Sequence, residues 1–169
     1  MRWLVPLLAL AATTAHGEAG VTERELMTAI AEVTDLSLSA DGSRLDCLSC
    51  TPFTAVTLEL RGLPSPVENP AGFARMQSSA HASACQDMPC EVTTIEVAAG
   101  LAAVRMDRTV RDRHDRTYWL YDPFSVLRIH SVGNEAPTVI RNAEAVLAAL
   151  TDTLSYPALS IILPSEATE

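Results

Sequence analysis

The 169-residue sequence contains no lysine, and all twelve of its basic residues are arginines. That absence excludes Schiff-base catalysis and lysine general bases. Together with the many alanines it matches the codon usage of a GC-rich genome. Positive charge is also scarce. The formal net charge of −9 argues against binding to nucleic acid or to an anionic membrane, both of which need an excess of basic side chains. No apolar run reaches the ~20 residues that span a bilayer, so no membrane anchor is expected. Glycine-rich phosphate loops, G-x-S-x-G, H-E-x-x-H and EF-hand loops are all missing. The acidic residues form no cluster suited to paired acid–base work, and no asparagine begins a glycosylation acceptor. There is neither an internal repeat nor a low-complexity linker. These absences remove the commonest enzyme classes and leave a non-catalytic binding or accessory protein as the leading expectation.

What is present begins with an export signal. Arg2 follows the N-terminal methionine, Trp3 to Ala12 are apolar, and Thr13 to Gly17 form a short, more polar region. Ala15 and Gly17 supply small residues at the −3 and −1 positions for cleavage after Gly17, as an export peptidase requires. Cleavage after Ala15 or Ala19 fits almost as well. Pro6 and the lack of a capping residue oppose a buried helix here. No cysteine lies near the junction to carry a lipid. The expectation is a signal peptide over 1–17 and a soluble periplasmic or secreted domain over 18–169. That domain has 152 residues and, with Arg2 gone, a net charge of −10. This is the size of one ordinary domain with a core of its own.

Within it, Thr22-Glu23-Arg24-Glu25 has the form of a capping box, and Leu26, Met27, Ile30 and Val33 recur at helical spacing. These predict a helix over 23–33. Asp41-Gly42 between alternating runs predicts a hairpin in which Leu38 faces Leu45 and Leu36 faces Cys47. Residues 54–61 alternate as a strand with Val56, Leu58 and Leu60 inward. Asn69-Pro70 can cap a helix over 71–84. Strands are expected over 91–98, 101–110, 117–121 and 125–132, although Thr93 to Glu96 can also open a helix. Pro137 starts a C-terminal helix with Val139, Ile140, Ala143, Val146, Leu147 and Leu150 as its buried stripe. Leu159–Leu163 form a final apolar run that can dock as an edge strand or stay loose. Short connections imply antiparallel pairing. The expected class is α+β, a mainly antiparallel sheet of about six or seven strands flanked by an N-terminal and a C-terminal amphipathic helix, with the helices on one sheet face.

Cys47, Cys50, Cys85 and Cys90 form an even set in an exported chain, which reads as two disulfides. Residues three apart on a strand point to opposite faces, so a Cys47–Cys50 bridge needs a local turn. That favours pairing between the two clusters, with bridges contributing roughly 3–4 kcal/mol each. Cys85–Cys90 is the local alternative, since Pro89 favours a turn. Two functional readings compete. Cys47-Leu48-Ser49-Cys50 has the spacing of a redox-active dithiol, without the strand-to-helix context that thiol–disulfide oxidoreductases share. No histidine follows Cys50, which excludes covalent haem attachment. His81, Cys85 and Cys90, with Met76 and Met88, form a set suited to soft metals. With Cys47 and Cys50 it makes a zinc-type ligand set, and with the methionines one for copper. The spacings match no established zinc module.

Arg105 to Arg116 is rich in charge. Arg111, Arg113 and Arg116 are candidates for recognising an anion or an acidic partner, although the interleaved aspartates also allow plain cross-strand ion pairs. Trp119 and Tyr121 share one strand face and Tyr118 the other, positions suited to core packing or to a partner surface. No cofactor is required by the leading reading, and its partner is expected to be a protein or small ligand of the exported compartment.

Overall fold

Thr22 caps the first helix as its sequence demands. Its hydroxyl accepts from Glu25 N at 3.2 Å, and Glu25 Oε2 accepts from Thr22 N at 2.8 Å. The computed structural model describes residues 22–50, 54–85, 88–98 and 100–153. The export segment and the apolar run at 159–163 lie outside them. Helix α1 (Glu23–Val33) buries Leu26, Met27 and Ile30, whereas Val33 at its end is exposed. Two short strands follow, β1 (Ser37–Leu38) and β2 (Leu45–Asp46), paired with Leu38 opposite Leu45. The register is the expected one, but six residues connect the two strands, with Ser39 N donating to Arg44 O at 2.9 Å across their base. Ser43 N donates to Asp41 Oδ1 at 3.1 Å, and Gly42 takes a positive φ of 70° that suits glycine.

The longer strands are β3 (Thr54–Gly62), β4 (Cys90–Ala98), β5 (Leu101–Val110), β6 (Arg113–Tyr121) and β7 (Ser125–Gly133). Helix α2 (Pro70–Ser83) intervenes between β3 and β4, and α3 (Ala136–Ala148) follows β7. At the start of α2, Asn69 accepts from Gly72 N at 2.9 Å, with proline in the first turn. There the missing N–H costs nothing. All seven strands join one antiparallel sheet in the order β1-β2-β3-β7-β6-β5-β4. This is the expected α+β class. Residues 93–96 belong to β4, not to a helix.

Side-chain alternation along the strands divides the interior into two layers. On one face Val56, Leu58, Ala103, Tyr118, Leu120, Leu127 and Ile129 meet the apolar sides of α1 and α3. Each fully buried leucine there contributes about 1.5–3 kcal/mol. On the other face Ala102, Val104 and Tyr121 pack with Ala74 and Phe73 of α2. The N-terminal and C-terminal helices therefore share one face, and α2 takes the other. Carrying the chain from β3, third in the sheet, to β4 at its far edge requires α2 to cross the sheet. The face opposite α1 and α3 is the one left for it.

Candidate functional site

Helix α2 is too small to cover its face. It packs on β4, β5 and β6, so the side chains that β3 and β7 send to the same side are left beside it. The result is an open groove of about 300 Å³ lined by Glu59, Arg61, Phe73, Gln77, His81, Trp119, Tyr121, Val126 and Arg128, among others. Its floor is aromatic. The Trp119 ring stacks on the His81 imidazole with centroids 3.9 Å apart and planes 19° from parallel. Phe73 meets Tyr121 edge to face at 5.2 Å. Burial pushes the Tyr121 hydroxyl up to about 12, so it stays a neutral phenol at any ordinary pH.

The rim carries charge. Arg128 Nη1 donates to Glu59 at 3.3 Å, and Arg61 forms a short ion pair with the same carboxylate. The Arg61 hydrogen bond, followed by that from Arg128, holds the Glu59 carboxyl below its ordinary value despite some desolvation. Two guanidinium groups thus share one carboxylate, which leaves a net positive charge at the edge of an apolar floor. Burial, with a smaller effect from the Arg128 charge, pushes the His81 imidazole down. The ring facing Trp119 is thereby biased to its neutral form. His81 Nε2 is buried and finds no hydrogen-bond partner among the described residues.

The residues singled out in the sequence distribute differently. Cys47 bonds Cys50 and Cys85 bonds Cys90, with Cα atoms 5.3 and 5.7 Å apart. Pairing between the clusters does not occur. Cys47 lies just past β2, and the chain turns at once, with Cys50 N donating to Cys47 O at 3.3 Å. This supplies the local turn that an extended strand lacks. Bridges closing such short loops contribute about 2 kcal/mol each in the chain-entropy model, less than long-range staples. Both members of Cys85–Cys90 are engaged, so a metal set built on their thiolates requires reduction first. Met76 and Met88 are exposed and His81 lies on Trp119. Among the described residues no group of three or more histidine, cysteine or acidic side chains is arranged to hold a metal ion.

Arg111, Arg113 and Arg116 do not converge. The hairpin tip is only Arg111-Asp112, since Val110 already pairs with Arg113. Arg113 is exposed on the α2 side of the sheet. Arg116 is buried on the opposite side, where it grips Asp107 through Nε at 2.5 Å and Nη2 at 2.8 Å and reaches Glu144 of α3 at 2.8 Å. It is a structural tie, not a free anion hook. Asp115, beside Arg113, accepts from Arg108 at 2.5 and 3.2 Å. The groove residues that no sequence motif marks include Glu59, Arg61, Phe73, Gln77 and Arg128. The alternation Val126-Leu127-Arg128-Ile129-His130 carries a signal for one of them, a strand with a cation where a covered face would be apolar. Comparison with protein-family models, curated proteins and solved structures gave no match.

Proposed function

We propose that this is an exported, non-catalytic binding protein, periplasmic or secreted, whose ligand face is the groove between α2 and strands β3 and β7. The observation that carries the reading is the pairing of an aromatic floor, Trp119 and Tyr121, with two arginines that share the single carboxylate of Glu59. Such a site matches a small ligand with an apolar or aromatic body and one carboxylate. The body stacks over Trp119, and the carboxylate takes a guanidinium fork that Glu59 leaves unsatisfied. A volume of about 300 Å³ lies at the small end of the usual range for ligand sites. The two disulfides fit an oxidising compartment, and no helix among the described residues is long and apolar enough to cross a membrane.

The test is direct, because Trp3 and Trp119 are the two tryptophans and cleavage after Gly17 leaves Trp119 alone. Titration of the mature protein with 3-phenylpropionate should change its intrinsic fluorescence saturably. The corresponding amide should bind roughly tenfold more weakly or worse, as loss of a charge-assisted hydrogen bond implies. Arg128→Gln should abolish the preference for the acid. Equal response to acid and amide, or no saturable response to either, would overturn the assignment of this groove.

A further inference from the structure

The two disulfides sit in opposite chemical surroundings. Cys85 Sγ lies 3.4 Å from the His81 carbonyl oxygen and 4.0 Å from Met106 Sδ. Both neighbours are electron-rich, and both would repel a thiolate. Cys50 Sγ instead faces two N–H donors from α3, Arg141 Nη2 at 3.5 Å and Asn142 Nδ2 at 3.7 Å. Asn142 is only 4% exposed and occupies the stripe of α3 that otherwise carries Val139, Ala143 and Val146. A buried amide is costly unless it meets a good acceptor. A disulfide sulfur is a poor one, whereas a thiolate is a strong, charge-assisted one. Cys47, Arg141 and Asn142 line a cleft of about 620 Å³ between the end of α1 and α3. Cys50 is not part of its lining, and its own partial exposure is the way in for a reacting molecule. Cys47 is buried and Cys50 is partly exposed. The carboxylates of Asp35 and Asp152 line the same cleft and oppose the effect of Arg141.

We propose that Cys47–Cys50 is a redox-active pair that exchanges with a dithiol, and that Cys50 is its reactive sulfur. The polarity is reversed from the usual C-x-x-C arrangement, in which the first cysteine reacts. A thiolate of the dithiol attacks Cys50 Sγ, the Cys47–Cys50 bond breaks, and Cys47 leaves as a thiolate that takes up a proton. The second thiol of the reductant, deprotonated, then attacks its own sulfur in the mixed disulfide and expels Cys50 as a thiolate. Two electrons pass to this protein, the dithiol becomes a disulfide, and one of its two protons is released to solvent while Cys50 stays ionised. Arg141 and Asn142 are positioning residues that hold the thiolate.

The experiment uses the full mature chain in its oxidised form. It is treated with graded dithiothreitol, quenched by alkylation and mapped by peptide mass. Cys47 and Cys50 should become labelled while Cys85 and Cys90 remain bridged. In the reduced protein, Cys50 should alkylate fastest, and at pH values where an ordinary thiol, with a pKa of about 8.5, is protonated. Arg141→Gln should slow that alkylation by roughly tenfold near neutral pH, one pKa unit in thiolate fraction, and Arg141→Lys should restore it. Arg141 is exposed, so the variants test chemistry more than folding, and unchanged Trp119 fluorescence verifies the fold. Simultaneous reduction of both bridges, or a Cys50 alkylation profile like that of an ordinary thiol and indifferent to Arg141→Gln, would overturn the proposal. Neither outcome bears on the groove beside Trp119, which lies on the other face of the sheet.

Discussion

Toward α1 and α3, strand β7 presents Leu127 and Ile129, both with no exposed surface; toward α2 the same strand presents Val126, Arg128 and His130, all partly exposed. Strand β6 divides likewise, with Leu120 buried on one side and Trp119 partly open on the other. The first face is closed by two helices whose apolar stripes match it, and its buried polar side chains include Arg116, tied at both ends, and Asn142. The second is closed by one helix, which sets Ala74, Phe73 and His81 against it and leaves part of it open. It ends at a line of histidine, tryptophan and arginine. Stability is thus concentrated on one side of the sheet, which frees the other to carry chemistry that a well-packed layer would exclude.

The comparison can be broken most sharply by truncating neighbours on β7. Leu127→Ala removes a fully buried side chain and should cost about 2–5 kcal/mol in urea unfolding. Val126→Ala, one residue away on the open face, should cost about 1 kcal/mol or less. Equal losses would mean that the two faces are equally packed. Next in size is Arg116→Ala, expected to cost about 1–3 kcal/mol. It removes two charge-assisted hydrogen bonds from the half-buried Asp107 carboxylate, leaving it Arg105 at 3.2 Å, and cuts the tie to Glu144. A neutral result would show that the tie to Asp107 and Glu144 adds nothing.

Between the ordinary histidine value and the carboxylate range, acid should act through the open face. Burial, with the charge of Arg128 next, pushes the His130 imidazole down, partly offset by Asp115; His81 is pushed down in the same way. The folded protein therefore binds fewer protons than the unfolded chain just below the ordinary histidine value. Its stability is full above about pH 6.5 and declines as pH falls from there toward the lowered folded values. A thermal-unfolding series across that range should show the decline, with His130→Gln flattening part of it. A profile unchanged by His130→Gln would remove His130 from the account. Smallest is the hairpin tip, where Arg111 has a φ of 58°. Arg111→Gly should raise stability by about 0.5–1 kcal/mol, and a fall would mean that the arginine side chain makes a compensating contact.

Much of the fold was legible because its signals are local. The Thr22–Glu25 box, Asn69-Pro70 and the alternation through Val56, Leu58 and Leu60 each name their element without help from the rest of the chain. The face on which α2 lies was not legible. It follows from β3 pairing with β7 and not with β4, a long-range choice that no single segment encodes. The disulfide pairing is hidden for the opposite reason: strand geometry does not govern Cys47, which lies just past the end of β2, where a turn takes over. The groove was half visible. Trp119 and His81 drew attention singly, one as a packing residue and one as a metal ligand, but their stacking depends on α2 crossing the sheet. The arginine candidates shared a stretch of sequence, and strand alternation separates Arg113 from Arg116.

The pairing of β3 with β7 places Leu58 beside Ile129, so the central seam of the sheet cannot close until nearly all of the chain is available. The β4-to-β7 meander pairs neighbours in sequence, whereas β3 must wait for β7, the last of the described strands. Until then the first part of the chain has only the short β1–β2 and β2–β3 ladders to hold it, which makes the β3–β7 seam a late and slow contact.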